Sequence, residues 1–221
     1  SVRVNGKNIT ARVIAEGANL GVTHLGRIEF SRRAKGRINT DAIDNSAGVD
    51  CSDHEVNIKI LLGAAQQRQE LSIENRNSIL EDMTNDVSQL VLQDNYLQNL
   101  CLSMIEGMGT EAFDQQVRLM KQLEASGKLD RTLEYLPDDT AIADMMASGK
   151  TFVRPELAVI LAYSKNFLYS DLLSSALIKD EYFEKFLINY FPPRLRKDYA
   201  TDISRHPLRD EIIATVLVNE M

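Results

Sequence analysis

Along this chain the hydrophobic pattern changes period once. Residues 2–16 alternate between apolar and polar side chains and are rich in Val, Ile and Arg, which is the two-residue period of extended backbone. Asn5-Gly6 between two short runs predicts a hairpin turn. Residues 11–16 then predict a buried strand that ends in the small-residue turn Gly17-Ala18-Asn19-Leu20-Gly21. A short helix follows, reaching through Phe30 to a stop at Gly36, and residues 37–43 predict a second strand. Strand, turn, helix and strand in that order make a βαβ-type piece of an α/β sheet, whose ligands gather at the carboxyl ends of the strands. Two small-residue turns, at Gly17 and at Ala47, are therefore expected at one edge.

From Ser52 onward the spacing is helical. Val56, Ile58, Ile60, Leu61, Leu62 and Ala65 form a wide apolar stripe, and Ile79, Met83, Val87, Leu90, Val91, Leu97, Cys101 and Met104 continue mostly at intervals of three and four. Gly107 and Gly109 break that run, a helix carrying Phe113, Val117, Met120 and Leu123 ends at Gly127, and residues 138–146 form a shorter one. Pro155 opens a segment that is apolar almost all round and so belongs at the centre of a core. Residues 66–70 and 136–139 read as joints. The chain lacks an initiator methionine and stops at Met221 inside an amphipathic pattern that begins at Pro207, so a fragment of a longer protein is expected.

Composition narrows the class. A chain of 221 residues with 44% hydrophobic content can bury a sizeable core. Its net charge of -7, from 32 acidic and 25 basic residues spread along the chain, argues against nucleic acid or an anionic membrane surface as partner. The basic run Arg32-Arg33-Ala34-Lys35-Gly36-Arg37 sits at a helix end, where it complements the dipole. Two cysteines give neither a disulfide framework nor a spaced zinc set, and a reducing, cytoplasmic setting is expected. No run is apolar for long enough to cross a bilayer, and the first residues lack the apolar core of a signal peptide.

Candidate chemistry concentrates in residues 41–55. Ser46, Ala47 and Gly48 allow close backbone approach, and Asp50 or Cys51 is expected to open a helix whose N-terminus faces back at that loop, a place for a carboxylate. Ser52 near the first turn can share a ligand carboxylate, and Asn45 offers a donor and an acceptor to a ligand amide. Cys51 and His54, three apart, could face one ligand or metal with Asp50 or Asp53 adding an oxygen. Neighbours on one helical turn do not make a zinc site, and no metal is expected. A Cys51/His54 nucleophile pair lacks an orienting partner.

These residues carry a resemblance. Ala15-Glu16-Gly17-Ala18-Asn19 together with Asn45-Ser46-Ala47-Gly48-Val49-Asp50-Cys51-Ser52-Asp53-His54-Glu55 resembles the cofactor-domain end of the glutamate dehydrogenases. The fuller run from Gly26 to Lys59, with Phe152-Val153-Arg154-Pro155-Glu156-Leu157-Ala158 and Tyr190-Phe191-Pro192-Pro193, is similar to the large-subunit bacterial NAD-specific glutamate dehydrogenases and their helical C-terminal extension. The resemblance implies a chain that is mainly α with a small α/β part. Residues 1–66 would be the C-terminal part of a dinucleotide-binding, Rossmann-type domain with a partial sheet, and residues 67–221 an α-helical C-terminal domain. It implies that Gly17, Ala18, Asn19 and Asn45 border the NAD cofactor, and that Asn19, Val49 and Ser52 border the substrate, Ser52 holding its side-chain carboxylate. Smaller family members usually have Ala-Gly-Gly where this chain has Ser46-Ala47-Gly48, and a larger apolar residue where it has His54.

The reaction so implied is oxidative deamination of L-glutamate to 2-oxoglutarate and ammonium by a parent enzyme, itself a homo-oligomer. Its catalytic lysine and aspartate and its glycine-rich phosphate turn would lie upstream of Ser1, in the remainder of the parent chain. The fragment would then hold one wall of the active site and be inactive alone. The competing expectation is that residues 67–221 form a helical module for oligomerisation or effector sensing.

Overall fold

The computed structural model of the chain describes residues 4–17, 20–34, 36–68 and 70–220. Among these the regular structure is helical. It comprises α1 (His24–Ala34), α2 (Asp41–Asp44), α3 (Ser46–Gln67), α4 (Ile73–Asp82), α5 (Thr84–Gly107), α6 (Thr110–Ala125), α7 (Asp139–Ala147), α8 (Arg154–Ser174), α9 (Glu184–Tyr190), α10 (Pro193–Asp198), α11 (Ala200–Ser204) and α12 (Arg209–Glu220).

The expected partial Rossmann-type sheet is not present among the described residues, so the fold is all-α there and not mainly α with an α/β part. What stands in its place is one isolated parallel bridge between Val13 and Arg37. The Ile14 N–H donates to the Arg37 carbonyl at 3.0 Å and the Arg37 N–H to the Arg12 carbonyl at 2.9 Å. One bridge between two extended segments buries too little to propagate, since independent stability takes three or more strands or a covering helix. Val13, expected in a buried strand, is 63% exposed. The second expected strand is cut short because α2 begins at Asp41, where the Ile43 and Asp44 N–H groups turn back to the Thr40 carbonyl at 3.1 and 3.0 Å.

The expected hairpin at Asn5-Gly6 is also replaced, by a 3-10 turn at Gly6–Asn8. A Cβ on Gly6 would lie 2.3 Å from the Gly26 carbonyl oxygen, so glycine is needed there for close approach to α1 and not for a strand reversal.

The helical pattern downstream of Ser52 is realised, with a break between α4 and α5 at Met83 that the spacing does not predict. Gly109, at φ +53, separates α5 from α6, and the side chains of Ser72 and Asp138 accept N–H groups at the starts of α4 and α7, at 3.2 and 2.8 Å. Val56 departs from the expected apolar stripe, being 53% exposed, while Ile58, Leu61, Leu62 and Ala65 are buried.

The chain divides into two compact units, Ser1–Ser46 with Tyr96–Phe167 and Ala47–Asn95 with Leu168–Met221. Each draws on residues from both sides of position 66. The first unit is centred on α6 and the N-terminal half of α8, with Phe113, Met120, Leu123, Leu157 and Ile160 buried and the Phe113 and Phe152 rings meeting edge-on at 5.0 Å. The second packs Ile58, Leu61 and Leu62 of α3 with Leu187, Phe191, Leu195, Ile203 and Ile213. Side chains of this size each contribute about 1.5–3 kcal/mol on burial.

His206 closes the second core as a neutral ring. It is 4% exposed; its Nε2 lies 3.1 Å from the Asn57 carbonyl and its Nδ1 accepts the Leu208 N–H at 3.1 Å. Protonation at Nδ1 would abolish the second bond, and burial holds the pKa below the ordinary 6.5, against the opposing pull of the Asn57 carbonyl. A depressed folded-state pKa means the stability is full above the unfolded value and is lost as pH falls below it. Thermal melts between about pH 7.5 and about pH 5.5 should therefore show a falling midpoint toward acid. His206→Gln, less stable at neutral pH, should flatten that dependence; an equally steep curve in the variant would assign the effect elsewhere.

Candidate functional site

The turn after residue 16 and the stretch before Asn45 are joined through one buried cation. Arg27 of α1 is 1% exposed. Its guanidinium pairs with the Glu16 and Asp41 carboxylates and lies 3.8 Å from Asp44, while its Nε and Nη1 donate to the carbonyls of Val22 at 3.2 Å and Asn39 at 2.7 Å. The same carboxylates hold the backbone of the turn. Asp44 accepts the Glu16 N–H at 3.2 Å, Asp41 accepts the Leu20 N–H at 2.9 Å, and Glu16 accepts the N–H groups of Gly21 and Val22.

A second buried arginine supports the first assembly. Arg154, at the start of α8, donates through Nε to the Asn39 side-chain oxygen and through its Nη atoms to Ser103 Oγ at 3.1 Å and the Asn99 carbonyl at 3.1 Å. Asn39 in turn donates to Asp44 at 2.8 Å. Glu156 accepts from Arg32 and from the Val153 N–H at 2.8 Å. Burial raises the Glu156 pKa, and the Arg32 guanidinium works against that rise.

The expected site residues are placed as follows. Gly17 lies in the tied turn with open space where a Cβ would stand, and Ala18 and Asn19 lie outside the described residues. Asn45 caps the end of α2, its N–H donating to the Asp41 carbonyl at 2.9 Å, so it stands beside the residues that anchor the turn. The helix expected to open at Asp50 or Cys51 begins at Ser46 instead, and Ser46 Oγ donates to the Ile43 carbonyl at 3.1 Å. Ser52 is consequently in the second turn of α3, not the first. It is exposed, with Oγ donating to the Gly48 carbonyl at 3.1 Å, and Val49, 70% exposed, precedes it by three positions on the same helix face.

Behind that face α3 is clamped. Tyr190 Oη donates to Asp53 at 2.8 Å and accepts from the Asn57 side chain at 2.9 Å, and burial drives the Tyr190 pKa far upward. Cys51 is an exposed free thiol whereas His54 is buried, so the two do not present one nucleophilic surface. Arg27 escaped the sequence reading because it looks like any helix arginine. The available signal was three acids, Glu16, Asp41 and Asp44, at the ends of two expected strands, which together require a cation.

Residues 1–105 match the family described as bacterial NAD-glutamate dehydrogenase, catalytic domain, and residues 149–221 match glutamate dehydrogenase, C-terminal. The NAD-specific glutamate dehydrogenases of Pseudomonas aeruginosa and Mycobacterium tuberculosis are each 43% identical to this chain over 220 residues, and that of Halomonas elongata is 40% identical over 222. In each case 100% of this chain is aligned, and it spans 14% of the relative's own length.

Replacing Arg27 by Met should cost about 3–5 kcal/mol, because three carboxylates would lose their buried counter-charge. Urea unfolding of the variant measures this. A loss below about 1 kcal/mol, the range of an exposed pair, would show that the assembly is not what holds the turn.

Proposed function

The chain belongs to the bacterial NAD-glutamate dehydrogenase family, and from that premise we propose that it supplies one wall of the active site of an enzyme that deaminates L-glutamate oxidatively to 2-oxoglutarate and ammonium. The observation that carries the reading is the match along 100% of the chain. The tied turn that runs into Gly17 and the outward-facing Val49 and Ser52 on a clamped helix support it.

In this reading Gly17, Ala18, Asn19 and Asn45 border the nicotinamide end of NAD. Asn19, Val49 and Ser52 border the glutamate, with the Ser52 hydroxyl turning from the Gly48 carbonyl to donate to the substrate's side-chain carboxylate. Residues 1–66 are the cofactor side and residues 67–221 the helical C-terminal domain of the parent. NAD supplies the hydride acceptor when bound. The donor set here suits the nicotinamide end alone, because the chain contains no glycine-rich phosphate-binding turn. Its own residues therefore bind and orient, while the groups that move protons belong to the remainder of the parent.

Two measurements test this. The 221-residue chain by itself should form no NADH from glutamate and NAD; turnover above a heat-denatured control would overturn the division of labour. In the full-length parent, Ser52→Ala should raise the KM for glutamate by the loss of one charge-assisted hydrogen bond, about 1.5–3 kcal/mol, and an unchanged KM would remove Ser52 from the substrate site.

A further inference from the structure

His54 poses a problem that the proposed function leaves unsolved. The residue is 3% exposed. Its Nδ1 has no hydrogen-bond partner, and its Nε2 points at Asp50 Oδ1 from 3.8 Å, beyond hydrogen-bond reach. A buried imidazole nitrogen left without a partner is costly, and such a group in a native fold calls for an explanation. Its orientation is not accidental, because the ring stacks on Tyr190 at 4.4 Å and 20°, and the Tyr190 hydroxyl is itself held by Asp53 and Asn57.

Two carboxylates, on two helices of the second unit, stand beside that ring. Asp50 sits one turn before His54 on α3, and Asp94 reaches the same point from α5. One ligand atom from each of the three falls within 4.8 Å of the other two. We propose that Asp50, His54 and Asp94 bind one divalent transition-metal ion of the zinc type, through one imidazole nitrogen and two carboxylate oxygens.

Donor chemistry selects the ion class. An imidazole nitrogen beside carboxylates suits zinc and its neighbours, whereas calcium and magnesium favour all-oxygen shells. Donors at zinc bond lengths stand roughly 3.4 Å apart in a tetrahedron. The His54–Asp50 pair at 3.8 Å is close to that spacing. The full spread of 4.8 Å is wider than that, so binding would draw the carboxylates inward. Three protein ligands leave the fourth position to water, the pattern of an open site and not of a sealed structural one. Burial also lowers the His54 pKa, against the pull of Asp53 and Asp94. None of this depends on the enzymatic reading, and the test needs no activity.

The metal-stripped 221-residue chain should be titrated with Zn²⁺ in a calorimeter, and with Co²⁺ as an optical probe. The expected result is saturable binding of one ion per chain at micromolar concentration or below. Second-sphere changes alone typically weaken a metal site by roughly ten-fold or more, so His54→Gln and Asp94→Asn should each do at least that. Cys51→Ser should leave affinity unchanged, and the Co²⁺ spectrum should lack a thiolate charge-transfer band. Circular dichroism of the metal-free variants verifies folding, and Asp50→Asn is read in place of any variant that fails to fold. Absence of stoichiometric binding, retention of full affinity in the folded carboxylate variants, or loss of affinity in Cys51→Ser would each overturn the proposal.

Discussion

One buried guanidinium organises the first unit. Three carboxylates from two separate stretches, Glu16 on one side and Asp41 and Asp44 on the other, converge on Arg27, and each also accepts a backbone N–H or carries a neighbour that does. Exposed pairs of this kind would be worth little, but here the cation is inaccessible and desolvation makes its presence obligatory. The turn and the end of α2 are therefore positioned by charge, with almost no sheet to support them. Arg154 extends the same logic through Asn39, which links α8 to Asp44 by hydrogen bonds.

The second unit shows how one helix serves two purposes. On α3, Val49 and Ser52 face outward while Asn57, Ile58, Leu61 and Leu62 are buried. Tyr190, from the Tyr-Phe-Pro-Pro motif 133 residues beyond Asn57, fixes the inner side of that helix through two hydrogen bonds. Held at its inner side in this way, the helix presents its outer face in a fixed geometry. This supplies a physical role for a motif that composition marks only as a helix interruption.

Much of the helical portion was readable from spacing alone. Buried positions recur every three to four residues in α6, and Gly109, Asp138 and Pro155 mark boundaries where backbone chemistry requires them. Short apolar runs alone do not make strands. Alternation in residues 2–16 is a local property, but a strand exists only if a partner ladder does, and Val13 and Arg37 find just one bridge among the described residues. The start of α3 is ambiguous in sequence for a similar reason. Small residues such as Ser46, Ala47 and Gly48 fit a loop or a helix equally well, and here they form the first turn of α3.

By itself the sequence determined the family, through motifs whose residue order survives whatever fold surrounds them, and it determined the helix-rich class through periodicity. Only the tertiary structure decided which polar groups meet. Arg27 with its three acids, Tyr190 with Asp53 and Asn57, and His54 with Asp50 and Asp94 bring together residues 4 to 137 positions apart. The physical reason is that hydrophobic periodicity is repeated along the chain and can be counted, whereas a buried charge or hydrogen bond is a single event between distant residues, specified by packing geometry alone.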